Sequence, residues 1–124
     1  MSDEYEIERW PTDVKIRPDR KSLALACDDG VQVEISAELL RVESPSAEVQ
    51  GHSASGKKLV AGKRNVLITG AEPVGNYAIR LSFDDGHSTG IYSWRYLYKL
   101  GGHEGEKLWA DYLAALGSQG LARE

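Results

Sequence analysis

Apolar and polar positions alternate along the first third of the chain. Val14 and Ile16 alternate with Lys15 and Arg17, a period-2 pattern that predicts a half-buried strand. Pro18-Asp19-Arg20-Lys21 is turn chemistry, and beyond it Leu23, Leu25 and Cys27 alternate with small residues as a second strand. Asp28-Asp29-Gly30 supplies residues that tolerate φ > 0 in a tight hairpin. Val31, Val33 and Ile35 then alternate with Gln32 and Glu34 as a third strand. The opening is expected to be a three-stranded antiparallel meander.

The pattern then changes. Ser36 is placed to cap a short helix over 37–41, which Pro45 ends by biasing Ser44 away from helical backbone. Residues 44–65 have no clear period and read as a long loop. Residues 66–69 predict a fourth strand, 71–76 an irregular connection, and 77–83 a fifth strand with Tyr77, Ile79, Leu81 and Phe83 on one face. Asp84-Asp85-Gly86-His87 is a turn, and 88–92 the returning strand. Ser93 should cap a helix beginning Trp94-Arg95-Tyr96 and ending at Gly101-Gly102. A last helix over 104–116 sets Leu108, Tyr112 and Leu116 on one face, widened by Trp109 and Leu113, with Gly117 after its end. No internal repeat stands out. The expected fold is α+β, an antiparallel sheet of about six strands with helices packed on one side. Its expected parts are a flexible acidic tail over 1–10, a domain over 11–101, and a C-terminal helix and tail over 102–124 packed on that domain.

Composition narrows the function classes. With 124 residues the chain is long enough for one core without staples. A formal charge of −4 argues against nucleic acid as the main partner, which would need basic charge facing the phosphates. No apolar run reaches the roughly 20 residues of a membrane span. The acidic start lacks the apolar stretch of a signal peptide. One cysteine, Cys27, makes neither an internal disulfide nor a cysteine-rich metal site, and reads as a small core hydrophobe. The expected location is cytoplasmic.

Candidate chemistry is sparse. Residues 51–58 superficially resemble a phosphate-binding loop, but Lys58 stands where the motif needs Ser or Thr for Mg²⁺, so a solvated loop is the better reading. That loop collects Lys57, Lys58, Lys63 and Arg64 without an intervening acid, a surface able to meet an anion. His87 with Asp84 and Asp85 could ligate a metal; the plainer reading is a hairpin turn with His87 exposed or capping it. Tyr92, Trp94, Tyr96 and Tyr98, with Trp10 and Trp109, either line a groove or pack helix on sheet. No Ser/His/Asp constellation has interpretable spacing, and no nucleophile can be named.

One set of motifs is more specific. Leu39-Leu40-Arg41-Val42-Glu43-Ser44-Pro45-Ser46, residues 66–73, Gly75-Asn76-Tyr77, Phe83-Asp84-Asp85-Gly86-His87 and Ile91-Tyr92-Ser93-Trp94-Arg95-Tyr96-Leu97 together resemble the gamma-butyrobetaine-hydroxylase-like N-terminal domain family. The family includes small stand-alone bacterial proteins of unknown function. It also occurs as the first domain of carnitine-pathway dioxygenases and as an appendage on some iron–sulfur carrier ATPases. In the dioxygenases the resemblance implies a closed Cys₃His zinc site. Its cysteine positions fall here on Ser44, Ser46 and Val49, with His87 as the surviving ligand, so the zinc site is read as degenerate. The separate oxygenase barrel and its Fe(II) triad have no counterpart, and no cofactor is implied. The resulting expectation is a non-catalytic binding or accessory domain whose partner is another protein, of the iron–sulfur or oxygenase type by family analogy. The alternative is a metal- or small-anion-binding protein using His87, Asp84 and Asp85, or the basic loop 51–65. Oligomeric state is not readable.

Overall fold

The computed structural model describes residues 11–50 and 57–124. The acidic tail over 1–10, Trp10, and most of the loop segment that resembles a phosphate-binding loop lie outside them. Six antiparallel strands and four helices make an α+β fold among the described residues, and the strands divide into two sheets of three.

The first sheet has the order β1(Pro11–Ile16), β2(Ser22–Cys27), β3(Gln32–Ser36). Its register puts Val14 opposite Leu25 and Leu25 opposite Val33, with Ile16, Leu23 and Ile35 forming the next row. The period-2 pattern thus places one apolar face on the core. Ser36 ends β3 and caps α1(Ala37–Val42), accepting the Leu39 N–H at 3.1 Å. The stretch after α1 is less irregular than its sequence suggests, because α2(Ala47–Gln50) forms a single turn within it.

The second sheet repeats the plan: β4(Ile68–Val74), β5(Ala78–Phe83), β6(Gly90–Ser93), then a serine-capped helix, α3(Trp94–Leu100). Ser93 accepts the Tyr96 N–H at 3.1 Å, as Ser36 does for Leu39. The chain therefore does contain an internal repeat, a three-stranded meander followed by a capped helix. It escapes notice in the sequence because the shared residues are few and the second returning segment is one residue longer. β4 also runs through the stretch expected to be irregular. Pro73 lies opposite Ile79 on an edge strand, where its missing N–H faces no neighbour. β6 starts at Gly90, two residues later than the pattern suggests. Tyr77 precedes β5 and is 55% exposed instead of joining Ile79 on the core face.

Both sheets and the helices share one apolar cluster. Leu23, Leu25 and Ile35 come from the first sheet, Ile68, Ile79, Leu81 and Phe83 from the second, and Leu40, Leu97 and Tyr112 from the helices. Each of these fully buried side chains is worth roughly 1.5–3 kcal/mol in transfer from water. Helix α4(His103–Ser118) adds Leu116 to Tyr112, while Leu113 turns outward at 39% exposure. The helix passes the expected stop at Gly117. It ends in a Schellman motif at Gly120 (φ +67), with Leu121 N–H on Leu116 O and Gly120 N–H on Gly117 O. The residues after it lie along 62–64 through Gly62 N–H to Ala122 O and Arg64 N–H to Arg123 O. There Arg123 makes a two-pronged pair with buried Glu38 at 2.7 and 3.0 Å, its guanidinium 5.1 Å from the Trp109 ring.

Candidate functional site

The second hairpin turn, 84–87, is where sequence reasoning concentrated its chemistry. Gly86 (φ +91) supplies the left-handed residue that closes the loop, with Gly86 N–H on Phe83 O and Phe83 N–H on His87 O. The two aspartates do not converge on His87 as a ligand set. Asp84 turns back to β4, accepting the Leu67 N–H at 2.9 Å. Asp85 accepts the His87 N–H with one oxygen, and Arg41 Nε at 2.7 Å and Lys63 Nζ at 2.6 Å with the other. Burial alone would raise the Asp85 carboxyl. The Lys63, His87 and Arg41 hydrogen bonds outweigh that and hold it at about 2. Arg41 Nη1 is buried without a hydrogen-bond partner among the described residues.

His87 is buried, not exposed at the turn, because its ring reaches under α2 instead of into solvent. Its Nε2 lies 2.9 Å from Ser44 Oγ and 3.4 Å from Ser46 Oγ. Three of the four positions that the resemblance singles out lie together: Ser44, Ser46 and His87 form one cluster, with Val49 buried on α2 just beyond Ser46. Their types alone gave no such signal, since 41 residues separate Ser46 from His87. Gly90 closes the cluster, because a Cβ there would stand 2.5 Å from Ser44 Oγ. Burial, then the Arg41 charge, push the His87 imidazole below its ordinary value, so it is neutral near pH 7. Its 3.9 Å approach to Glu48 is therefore not an ion pair at that pH.

Ser44, His87 and Glu48 have the connectivity of a hydrolase triad, an arrangement that linear spacing did not show. The geometry withholds the chemistry. Ser44 is 0% exposed, Gly90 seals its hydroxyl, and Glu48 is too distant for a hydrogen bond to Nδ1. Metal ligation finds no set either: no group of three or more His, Cys, Asp or Glu side chains is gathered among the described residues.

The other sequence candidates disperse. Lys57 pairs with Glu43 at 2.7 Å, Lys63 with Asp85, and Arg64 with Glu124 at 2.9 Å, while Lys58 is exposed. The basic stretch is thus largely neutralised by acids from three different parts of the chain. Tyr92 is fully buried and donates to Leu40 O at 2.5 Å; burial raises its phenol well above the ordinary value. Tyr96 donates to Glu43 O, and Trp94 Nε1 to Asn76 O at 2.9 Å. These rings tie helices and loops to the sheets. Arg41, Glu43, Glu38 and Arg123 were missed because a charged residue on a short helix reads as solvated until its partner, distant in sequence, is known.

Two three-stranded meanders, each closed by a serine-capped helix around a shared core, define a small α+β domain whose polar cluster is sealed. The sequence model of the gamma-butyrobetaine hydroxylase-like N-terminal family matches residues 14–98, and the chain belongs to that family. Seven solved chains match it. One solution NMR structure is 46% identical with a TM-score of 0.78, covering 94% of this chain and 90% of its own. A second is 44% identical with a TM-score of 0.80, covering 100% and 91%. A crystal structure of a protein of unknown function of the DUF971 family from Acidithiobacillus ferrooxidans is 32% identical with a TM-score of 0.63, covering 82% of this chain and all of its own. No curated protein matches the chain.

Proposed function

We propose that this domain is a non-catalytic binding module serving another protein, of the iron–sulfur or oxygenase type that its fused relatives suggest. The observation that carries the reading is the sealed state of the His87 cluster. Every side chain there with nucleophilic or basic character is buried against another, and none presents a reactive atom to a substrate. No helix among the described residues is long and apolar enough to cross a membrane. The test pairs two measurements on the purified chain. Co-purification with a candidate iron–sulfur or oxygenase-type protein should survive His87→Val, and no ester or amide hydrolysis should depend on Ser44. Turnover of an activated ester that Ser44→Ala abolishes would overturn the reading.

A second reading, a small-anion site, draws on one observation: Arg41 and Lys63 share the single carboxylate of Asp85, and Arg41 Nη1 has no hydrogen-bond partner among the described residues. Saturable phosphate-induced shifts at Arg41 and Lys63 would support it.

A further inference from the structure

A cleft of about 290 Å³ opens between the end of α1, the face of α4 and the segment 57–60. It sits near the lower end of the roughly 300–1,000 Å³ of small-molecule pockets. Val42, Leu59, Val60 and Leu108 supply its apolar walls, Glu43 and Asp111 its carboxylates, and Lys57 and exposed Lys58 its cations. Tyr112 also lines it and fixes one wall by donating to Val60 O at 2.7 Å.

The charges are unevenly placed. The Glu43 side chain is 6% exposed, whereas that of Lys57, its one cationic partner among the described residues, is 42% exposed. A buried carboxylate needs a cation beside it, and Lys57 supplies one at 2.7 Å. It does so at the cost of fixing a long flexible stem that remains partly in water. An incoming ammonium carried on an alkyl chain could replace it at Glu43 and also cover Leu59 and Leu108, which stay partly exposed.

We infer that this cleft binds a primary aliphatic ammonium group, with Lys57 as its internal occupant in the free protein. The site goes beyond the binding-module reading and does not depend on it. The chemistry has two sources, a free small amine or a lysine side chain of a partner protein. Titrating the ¹⁵N-labelled full chain with n-hexylammonium and, separately, with hexanoate at constant ionic strength tests it. Saturable shifts at Leu59, Leu108 and Tyr112, with a dissociation constant in the roughly millimolar range, are expected for hexylammonium only. Lys57→Met removes the competing cation and should tighten binding about tenfold; Glu43→Gln, nearly isosteric, should abolish saturation. A parallel titration with Nα-acetyl-lysine methylamide separates the sources, since binding at least as tight as hexylammonium assigns a protein lysine and weaker binding a free amine. Equal shifts with hexanoate, or an unchanged constant in Glu43→Gln, would overturn the inference. Because the partner test reads co-purification, failure here and failure there are distinguishable.

Discussion

The molecule builds the same hairpin turn twice and buries a histidine–serine cluster against the second. Asp28-Asp29-Gly30-Val31 and Asp84-Asp85-Gly86-His87 share their backbone bonds: Gly30 N–H meets Cys27 O and Gly86 N–H meets Phe83 O, each at 3.1 Å. The glycines have φ of +89 and +91, and the second aspartate accepts the N–H two residues on at 3.1 and 3.0 Å. Local chemistry is therefore held constant. What differs is the neighbourhood. Around the second turn, Arg41 and Lys63 close on Asp85 and His87 sinks against Ser44 and Ser46. A turn motif specifies its own backbone; whether it becomes a polar cluster is decided by the helix that docks beside it.

The docking is reciprocal. Arg41 on α1 reaches the turn of the second meander, and Tyr98 on α3 reaches Cys27, which opens the turn of the first, at 2.6 Å. Each is the fifth residue after its helix's capping serine. The same position thus makes the crossing contact in both repeats, once with a charge and once with a phenol.

The sharpest way to break the comparison is to make the same change in both turns. Asp85→Asn leaves Arg41 and Lys63 without a carboxylate in a partly buried setting and should cost about 3 kcal/mol. Asp29→Asn keeps the acceptor for Val31 N–H at an exposed site and should cost under about 1 kcal/mol. Urea unfolding of the two variants measures the gap, and equal costs would mean that the α1 contacts contribute nothing.

Exchanging the fourth turn residue comes next. His87→Val installs the residue of the first turn and strands the Ser44 and Ser46 hydroxyls, at a cost of about 2 kcal/mol. Adding Ser44→Ala should return part of that loss, because removing both partners of a buried hydrogen bond is cheaper than removing one. A double variant no better than the single one would show that His87 acts by packing alone.

How much of this was legible follows from where each signal resides. The period-2 strands, both serine caps and both Asp-Gly turns are encoded within a few residues, and the sequence reading places them. β4 was cut short because Pro73 argues against a central strand, and nothing in the sequence marks β4 as an edge. Arg41–Asp85, Glu38–Arg123 and Lys57–Glu43 join residues far apart in sequence. Only the family resemblance linked any distant pair, Ser44 and Ser46 to His87. The outer cleft had no motif at all.

Acid should separate the two turns again, with a smaller effect. His87 is held below its ordinary value, so the unfolded chain binds the proton more readily. Stability is full above about pH 6.5 and falls as pH drops toward the folded value. Asp85, lowered from 3.8 to about 2, contributes stability above pH 3.8 that is lost on acidifying through 2. The Asp85 contribution is about 1–2 kcal/mol after allowance for solvent screening. Chemical denaturation at stepped pH should show a loss below pH 6.5 that His87→Val removes, and one below 3.8 that Asp85→Asn removes. Asp29→Asn should leave both.

The smallest expected effect is at the reciprocal contact. Tyr98→Phe deletes the hydroxyl that meets Cys27 Sγ and keeps the ring on the first meander. Sulfur is a weak hydrogen-bond partner, and no charge is stranded by the change, so the loss should be about 0.5–1 kcal/mol, a fraction of that for Asp85→Asn. Buried Cys27 also offers its own probe, because a thiol reagent reaches it only when α3 or the hairpin end opens. Native-state labelling of Cys27 should therefore quicken about two- to fivefold in Tyr98→Phe, in proportion to the lost stability, and change little in His87→Val. If His87→Val quickened it as much, the two crossing contacts would belong to a single opening unit, and the repeats would not be separable as two turns under two helices.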